Sequence, residues 1–521
     1  MSKEWVRNEI MKEATRQRAE VTSIIKGQSV AITADSWSSF ATMAFSNLTA
    51  HFINSEWESI DLPIGCFSDA GMLNKVEWDK HFRQVLDNCG VQVEATNAVV
   101  ANNGMPLDGW EWIGCIHHFI DLLTNIVMDD EDIKATMQRA METGTSFADS
   151  REAEEQLDYM QVSIDPTAPP LKVIWDMGVG WWSAHAYLER LLALKPAIQA
   201  SVDGTTTPSY LYDDDWNSIA GIVYILKLFK DIQPLLDAHT YVPLSFAPVI
   251  VSKIRKGLVK LHQDSICSAH LKGLMEKMVQ TFEENFGSGD DGTVFREHMN
   301  RDPSNNLSKG IPRKTFVAMA LDPRTKTLPT LCADDKTLVW DALHDDLCLE
   351  ITTSRNKPIN DGSASNAHSG EAVPMNRVSE KGLLEDLFDQ NEDDDYTAND
   401  VPVHVIAQNE LTLYKHFKSL PMLDNDGTFS NPLVWWKMNE RALPFLAKLA
   451  RRTLNIPAAA VSSKSVLTST GVHKKIKRSR FRSNVIEATV FLHDCWNTAV
   501  LHRPERNDED DRTKRARISS D

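Results

Sequence analysis

The sequence predicts an α/β unit near the N-terminus, interrupted by a long all-helical stretch and followed by a further helical segment. Three observations point there. Short runs rich in β-branched and aromatic residues alternate with helical patterns up to about residue 128. From about 129 to 345, apolar residues recur at helical spacing between proline and glycine punctuation. Near the end, Asn431 to Gly471 (NPLVWWKMNERALPFLAKLARRTLNIPAAAVSSKSVLTSTG) holds two helices whose bounds are set by prolines.

Residues 1–28 read as a polar leading helix, with Gly27 as its stop. VAITADSW (Val30 to Trp37), MAFSNLTAHFI (Met43 to Ile53) and ESIDLPIGCF (Glu58 to Phe67) read as strands. Lys75 to Asn88 reads as a helix, Ala95 to Asn102 as a strand and Trp110 to Met128 as a helix. Helices are then expected at Trp181 to Leu194, Trp216 to Leu236, Ser245 to Leu261 and Cys267 to Phe286. Residues 351–402 lose apolar content and read as a disordered acidic linker, and residues 501–521 as a disordered tail. In the closing stretch, Asn431 caps a helix that opens on Pro432, and Pro444 opens a second helix that Pro457 stops. Taken alone, Phe445, Leu446, Leu449 and Leu454 make an ordinary amphipathic core helix. VIEATVFLHDCW (Val485 to Trp496) supplies a further helix.

Composition narrows the classes. With 42% hydrophobic and 25% charged residues in 521, the chain is an ordinary globular one. No apolar run approaches the roughly 18 residues of a membrane span, and the charged N-terminus has no signal-peptide core, so an intracellular protein is expected. Seven scattered cysteines, never spaced as CxxC, imply neither a disulfide framework nor a zinc finger. A formal charge of −18 excludes a protein that coats nucleic acid over its whole surface. Any DNA contact has to be local. The densest basic tract is His473 to Asn484, with Lys474, Lys475, Lys477, Arg478, Arg480 and Arg482. It reads as a solvated face, a nuclear-import signal or a phosphate contact, and Arg512 to Ser520 as a weaker import signal.

The order of residues says more than their period. Trp435-Trp436, then PFLAKLARRTLNIPA, then a Ser-rich segment ending in STG, resembles the C-terminal dimerisation region of hAT-family transposases. ITADSWSS, IGCIHHFIDLL (with Cys115 and His118), WDMGVGWWSAHAYLERLL (with Trp181) and MALDPRTK resemble further motifs of that family, over residues 28–500. The resemblance implies an RNase H-like domain begun at 29–128, interrupted by an all-helical insertion at 129–350 and completed by the dimerisation region at 403–500. It also implies a homodimer, with Trp435, Trp436, Phe445, Leu446, Leu449 and Leu454 at the interface.

The family's reaction is phosphoryl transfer on DNA, in which three carboxylates hold two divalent ions. The resemblance puts Asp35 at the first acid position, Ala101 at the second and Lys464 at the third. Two ligands are thus replaced, one by a cation, and the expectation is a pseudoenzyme whose ancestral Mg²⁺ site is lost, with no cofactor. Val179-Gly180 stand where the family has Thr-Arg before its tryptophan. Cys115 and His118 alone do not make a zinc site, and a core cysteine with a helix-facing histidine is expected. The family's BED zinc finger is not recognised in the sequence. Two other readings stay open: an active transposase or nuclease using Asp35 with Glu94, Asp108 or Glu487, and a non-enzymatic DNA-bound scaffold.

Overall fold

A computed structural model describes residues 2–38, 44–69, 75–89, 96–101, 112–174, 177, 180–204, 210–233, 244–263, 268–286, 311–356, 401–459 and 483–496. The first helix, α1 (Lys3–Ile25), starts where the Ser2 hydroxyl accepts from the Trp5 N–H at 3.2 Å. Gly27, at φ 79°, lets the chain turn away from it. There follow β1 (Val30–Ser38), β2 (Ala44–Ile53), β3 (Ser59–Asp69), α2 (Lys75–Asn88), β4 (Thr96–Ala101) and β5 (Trp112–Gly114).

These strands form one five-stranded sheet in the order β3-β2-β1-β4-β5. The first three strands pair antiparallel, whereas β4 runs parallel to β1 and β5 parallel to β4. β1 is central, and its Val30, Ala31, Ile32 and Ala34 are all buried, which is why VAITA reads as a continuous run rather than an alternation. The expected helix from Trp110 needs correcting. Trp112–Gly114 add a sheet edge, and helix α3 (Ile116–Met128) begins only after Cys115, because the helical spacing of its buried Ile116, Phe119, Ile120 and Leu123 starts there.

The all-helical part continues as α4 (Glu131–Ala148), α5 (Arg151–Ile164), α6 (Trp181–Gly204), α7 (Asp213–Lys230), a 3-10 turn (Leu244–Phe246), α8 (Ala247–Gln263) and α9 (Ala269–Phe286). α6 runs well past the expected Leu194 and through Pro196, since buried Ala197, Ile198 and Ser201 carry its packed face onward. Then come α10 (Arg313–Leu321), α11 (Ala333–Asn356), α12 (Val403–His416), α13 (Pro432–Asn439), α14 (Pro444–Leu454) and α15 (Ser483–Trp496). α11 overruns the start expected for the linker, because Leu347 and Ile351 lie on its buried face. Residues 357–400 and 501–521 lie outside the described residues. Among the described residues no helix is long and apolar enough to cross a membrane.

Three apolar cores result. One lies among α3 to α9, a second among α10 to α14 and a third between the sheet, α1, α2 and α15. The segment after α14 sits where they meet. Leu454 belongs to the second core, while Ile456 and Ala458 belong to the first. Between them the Asn455 amide donates to the carbonyls of Ser29 (3.0 Å) and His51 (3.3 Å) beside the sheet. Leu244 N–H donates to Ile456 O at 2.8 Å, and Ile116 N–H to Ala458 O at 3.3 Å.

Candidate functional site

Two of the three motif acid positions lie on neighbouring strands, Asp35 one residue beyond the register partner of Ala101. In the parallel β1–β4 pair Ala34 is in register with Ala101, so Asp35 and Ala101 lie on adjoining central strands. Ala101 offers a methyl group and no oxygen ligand. Lys464 lies outside the described residues, as do Glu94, Asp108 and the basic tract of Lys474, Lys475, Lys477, Arg478, Arg480 and Arg482.

Asp35 is in register with Asn47 on β2. Asn47 is buried, and its amide donates to Oδ2 of Asp494 at 2.7 Å, which ties α15 to the sheet. Burial pushes the Asp494 carboxyl above the ordinary carboxylate range, against the opposing pull of Asn47 and of His493. Sequence reasoning passed over Asp494 in favour of Glu487. The signal was there, since Asp494 follows Phe491 by three residues and precedes Cys495, both buried.

Beside this pair lies a chain of polar groups. Thr33 Oγ1 is 2.9 Å from His51 Nε2, and His51 Nδ1 is 2.7 Å from Asp61 Oδ1. The order hydroxyl, imidazole, carboxylate resembles a nucleophilic relay. Thr33 and His51 are each 3% exposed, so a substrate has no way to reach the hydroxyl, and the chain serves to bind three strands together.

The other motif residues are structural. Cys115 is the buried residue before α3, while His118 is exposed rather than turned into the core. Among the described residues the group of ligand types close enough for a metal is Asp130, Asp132 and His270, and it includes neither of them. Trp181 is buried and its indole N–H donates to Asp121 Oδ1 at 3.2 Å, joining α6 to α3. Gly180 has φ 109°, and a Cβ there would lie 2.5 Å from the Trp182 ring. Any side chain at this position is strained by the backbone and displaces the Trp182 ring.

The DPRTK turn (Asp322 to Lys326) is a buried knot. Asp322 is fully buried; it accepts from Arg324 Nε at 2.9 Å and from Ser245 Oγ at 2.7 Å. Arg324 also donates to the Ser430 carbonyl at 3.0 Å. Lys326 donates to the carbonyls of Tyr414 and Phe417 at the end of α12.

The residues expected at a dimer interface pack within the chain itself. Trp436, Leu446, Leu449 and Leu454 are buried in the second core of this single chain, and Trp435 and Phe445 are half-buried against it. The Trp436 indole donates to Leu321 O at 3.1 Å, and the Tyr414 hydroxyl to Ala320 O and Leu321 O at 3.0 Å each. These bonds satisfy carbonyls at the end of α10 that the helix itself leaves unpaired. Aromatic side chains with a polar handle are needed there.

Residues 410–495 match the hAT family C-terminal dimerisation region. Over 503 residues the chain is 22% identical to the "Putative AC transposase" of Zea mays, covering 90% of this chain and 56% of that protein. It is 21% identical over 516 residues to the "Zinc finger BED domain-containing protein RICESLEEPER 2" of Oryza sativa subsp. japonica, covering 91% and 66%. The "Putative AC9 transposase" of Zea mays is 28% identical over 131 residues, 25% of this chain and 15% of that one. The chain is an hAT-transposase relative, and it spans less than two thirds of the length of these proteins.

Proposed function

We propose that this chain is a transposase-derived protein that works by self-association, on an RNase H-like scaffold whose DNA-cleaving centre has been dismantled. The observation that carries the reading is in the sequence: the resemblance puts Ala101 and Lys464 where two-ion chemistry needs a second and a third carboxylate. One aspartate is too few hard oxygen ligands for two divalent ions, so the donor set does not fit them. The glycine at 180, where the resemblance puts an arginine, supports the same conclusion. Support for the scaffold comes from the sheet order, with an antiparallel meander continued by two parallel strands. Support for self-association comes from the match of residues 410–495 to a dimerisation region. The chain acts in the nucleus, with the basic tract around Lys474 to Arg482 as import signal or as a local DNA contact.

Sedimentation velocity on the wild-type chain tests self-association. A concentration-dependent dimer at tens of micromolar is expected, and a monomer throughout would refute it. One observation favours a second reading. Asp494 reaches Asn47, the register partner of Asp35, so a displaced carboxylate pair is within the fold's means. A cleavage assay separates the two readings.

A further inference from the structure

We infer that α6 and α7 come apart under mild acid, and that His185 is the group whose protonation parts them. His185 stands on α6 and is 1% exposed. Its stripe of the helix faces α7. One turn earlier the Trp181 ring meets Phe229 of α7, with centroids 6.1 Å apart. One turn later Glu189 Oε2 accepts from Lys230 Nζ of α7 at 2.6 Å. Between these two contacts the histidine is poorly partnered. Among the described residues its Nε2 has no hydrogen-bond partner, and its Nδ1 lies 3.9 Å from Glu189 Oε2, beyond hydrogen-bond reach.

A neutral ring leaves one nitrogen unsatisfied in this place. An imidazolium would bury a second donor and a full charge as well. The charges that bear on the ring are Glu189 of α6, Lys227 and Lys230 of α7, and Asp231 just after it. The lysines oppose a proton on the ring and the carboxylates favour it. Glu189, the carboxylate beside it, is already held by Lys230. A proton on His185 therefore stays unpaired in the core or draws Glu189 away from its bond to α7. Either course weakens the same pair of helices. Burial outweighs the carboxylates and holds His185 below the ordinary imidazole range. The folded chain then binds fewer protons than the unfolded one. The α6–α7 contact is thus at full strength above about pH 6.5 and weakens as pH falls below it.

Amide hydrogen exchange on the wild type, His185→Phe and His185→Gln, corrected for the intrinsic pH dependence of exchange, provides the test. Between about pH 7.5 and about pH 5.5, protection across α6 and α7 of the wild type should fall by up to about tenfold. That ceiling is set by one proton taken up over roughly one pH unit. Protection in α12 and α14 should hold. Both variants should keep the same protection in α6 and α7 at the two pH values. Phe keeps a ring without a titrating nitrogen and Gln keeps a polar group, so if one variant fails to fold the other serves. Unchanged protection in the wild type, or an equal loss in a folded variant, overturns the inference. A loss spread evenly over α12 and α14 overturns it too, because the acid then acts on the chain as a whole.

Discussion

Asp322 and Arg324 are 0% and 2% exposed at their side chains, so they gain from each other what water would otherwise supply. Replacing Arg324 by methionine should destabilise the fold by about 3–5 kcal/mol, because the Asp322 carboxylate stays buried without its cation. Adding Asp322→Asn should recover part of that loss, and urea midpoints of the single and double variants measure both. The sequence made the turn legible but not its burial. Aspartate, arginine and lysine are ordinarily exposed, and the partners Ser245, Tyr414, Phe417 and Ser430 come from distant segments. Asp494 gives a pH prediction. Its carboxyl is held above the ordinary range by burial, so the folded chain keeps a proton that the unfolded chain releases. That contribution is complete below about pH 4 and is lost as pH rises through the raised folded value. The difference in urea midpoint between the wild type and Asp494→Asn should therefore change with pH, the wild type losing ground to the variant as pH rises through this range.

At the scale of elements, the proline signals were the clearest part of the sequence. Asn431 caps α13 by accepting from Leu433 N–H at 2.9 Å, and Pro432 and Pro444 open their helices. What caps α14 was not legible. Glu410, on α12, accepts from the N–H groups of Phe445 (3.2 Å) and Leu446 (2.7 Å), a carboxylate brought to the helix start by tertiary packing. Glu410→Ala should cost about 1–2 kcal/mol, and Glu410→Gln should cost less because the acceptor survives; thermal midpoints rank them. The same dependence on packing explains β5. Three residues, Trp112–Gly114, carry too little pattern to compete with the helix that follows, and only pairing with β4 makes them a strand.

For the whole molecule, the order of motifs gave the kinship, and Asp35 and Ala101 fall on the neighbouring strands β1 and β4. That order left the interface open, because periodicity marks a buried face without saying whether the same chain or a second copy buries it. Trp436 and Leu446 are covered by α10, α11 and α12 of their own chain. The central claim is that the chain keeps the scaffold of a DNA-cleaving enzyme and has lost its chemistry. Incubating the purified chain with supercoiled and linear DNA in Mg²⁺ or Mn²⁺, alongside Asp35→Asn, tests this most directly. The account predicts neither nicking nor strand joining, and no difference between the two proteins. Metal-dependent cleavage by the wild type that disappears in Asp35→Asn would contradict it.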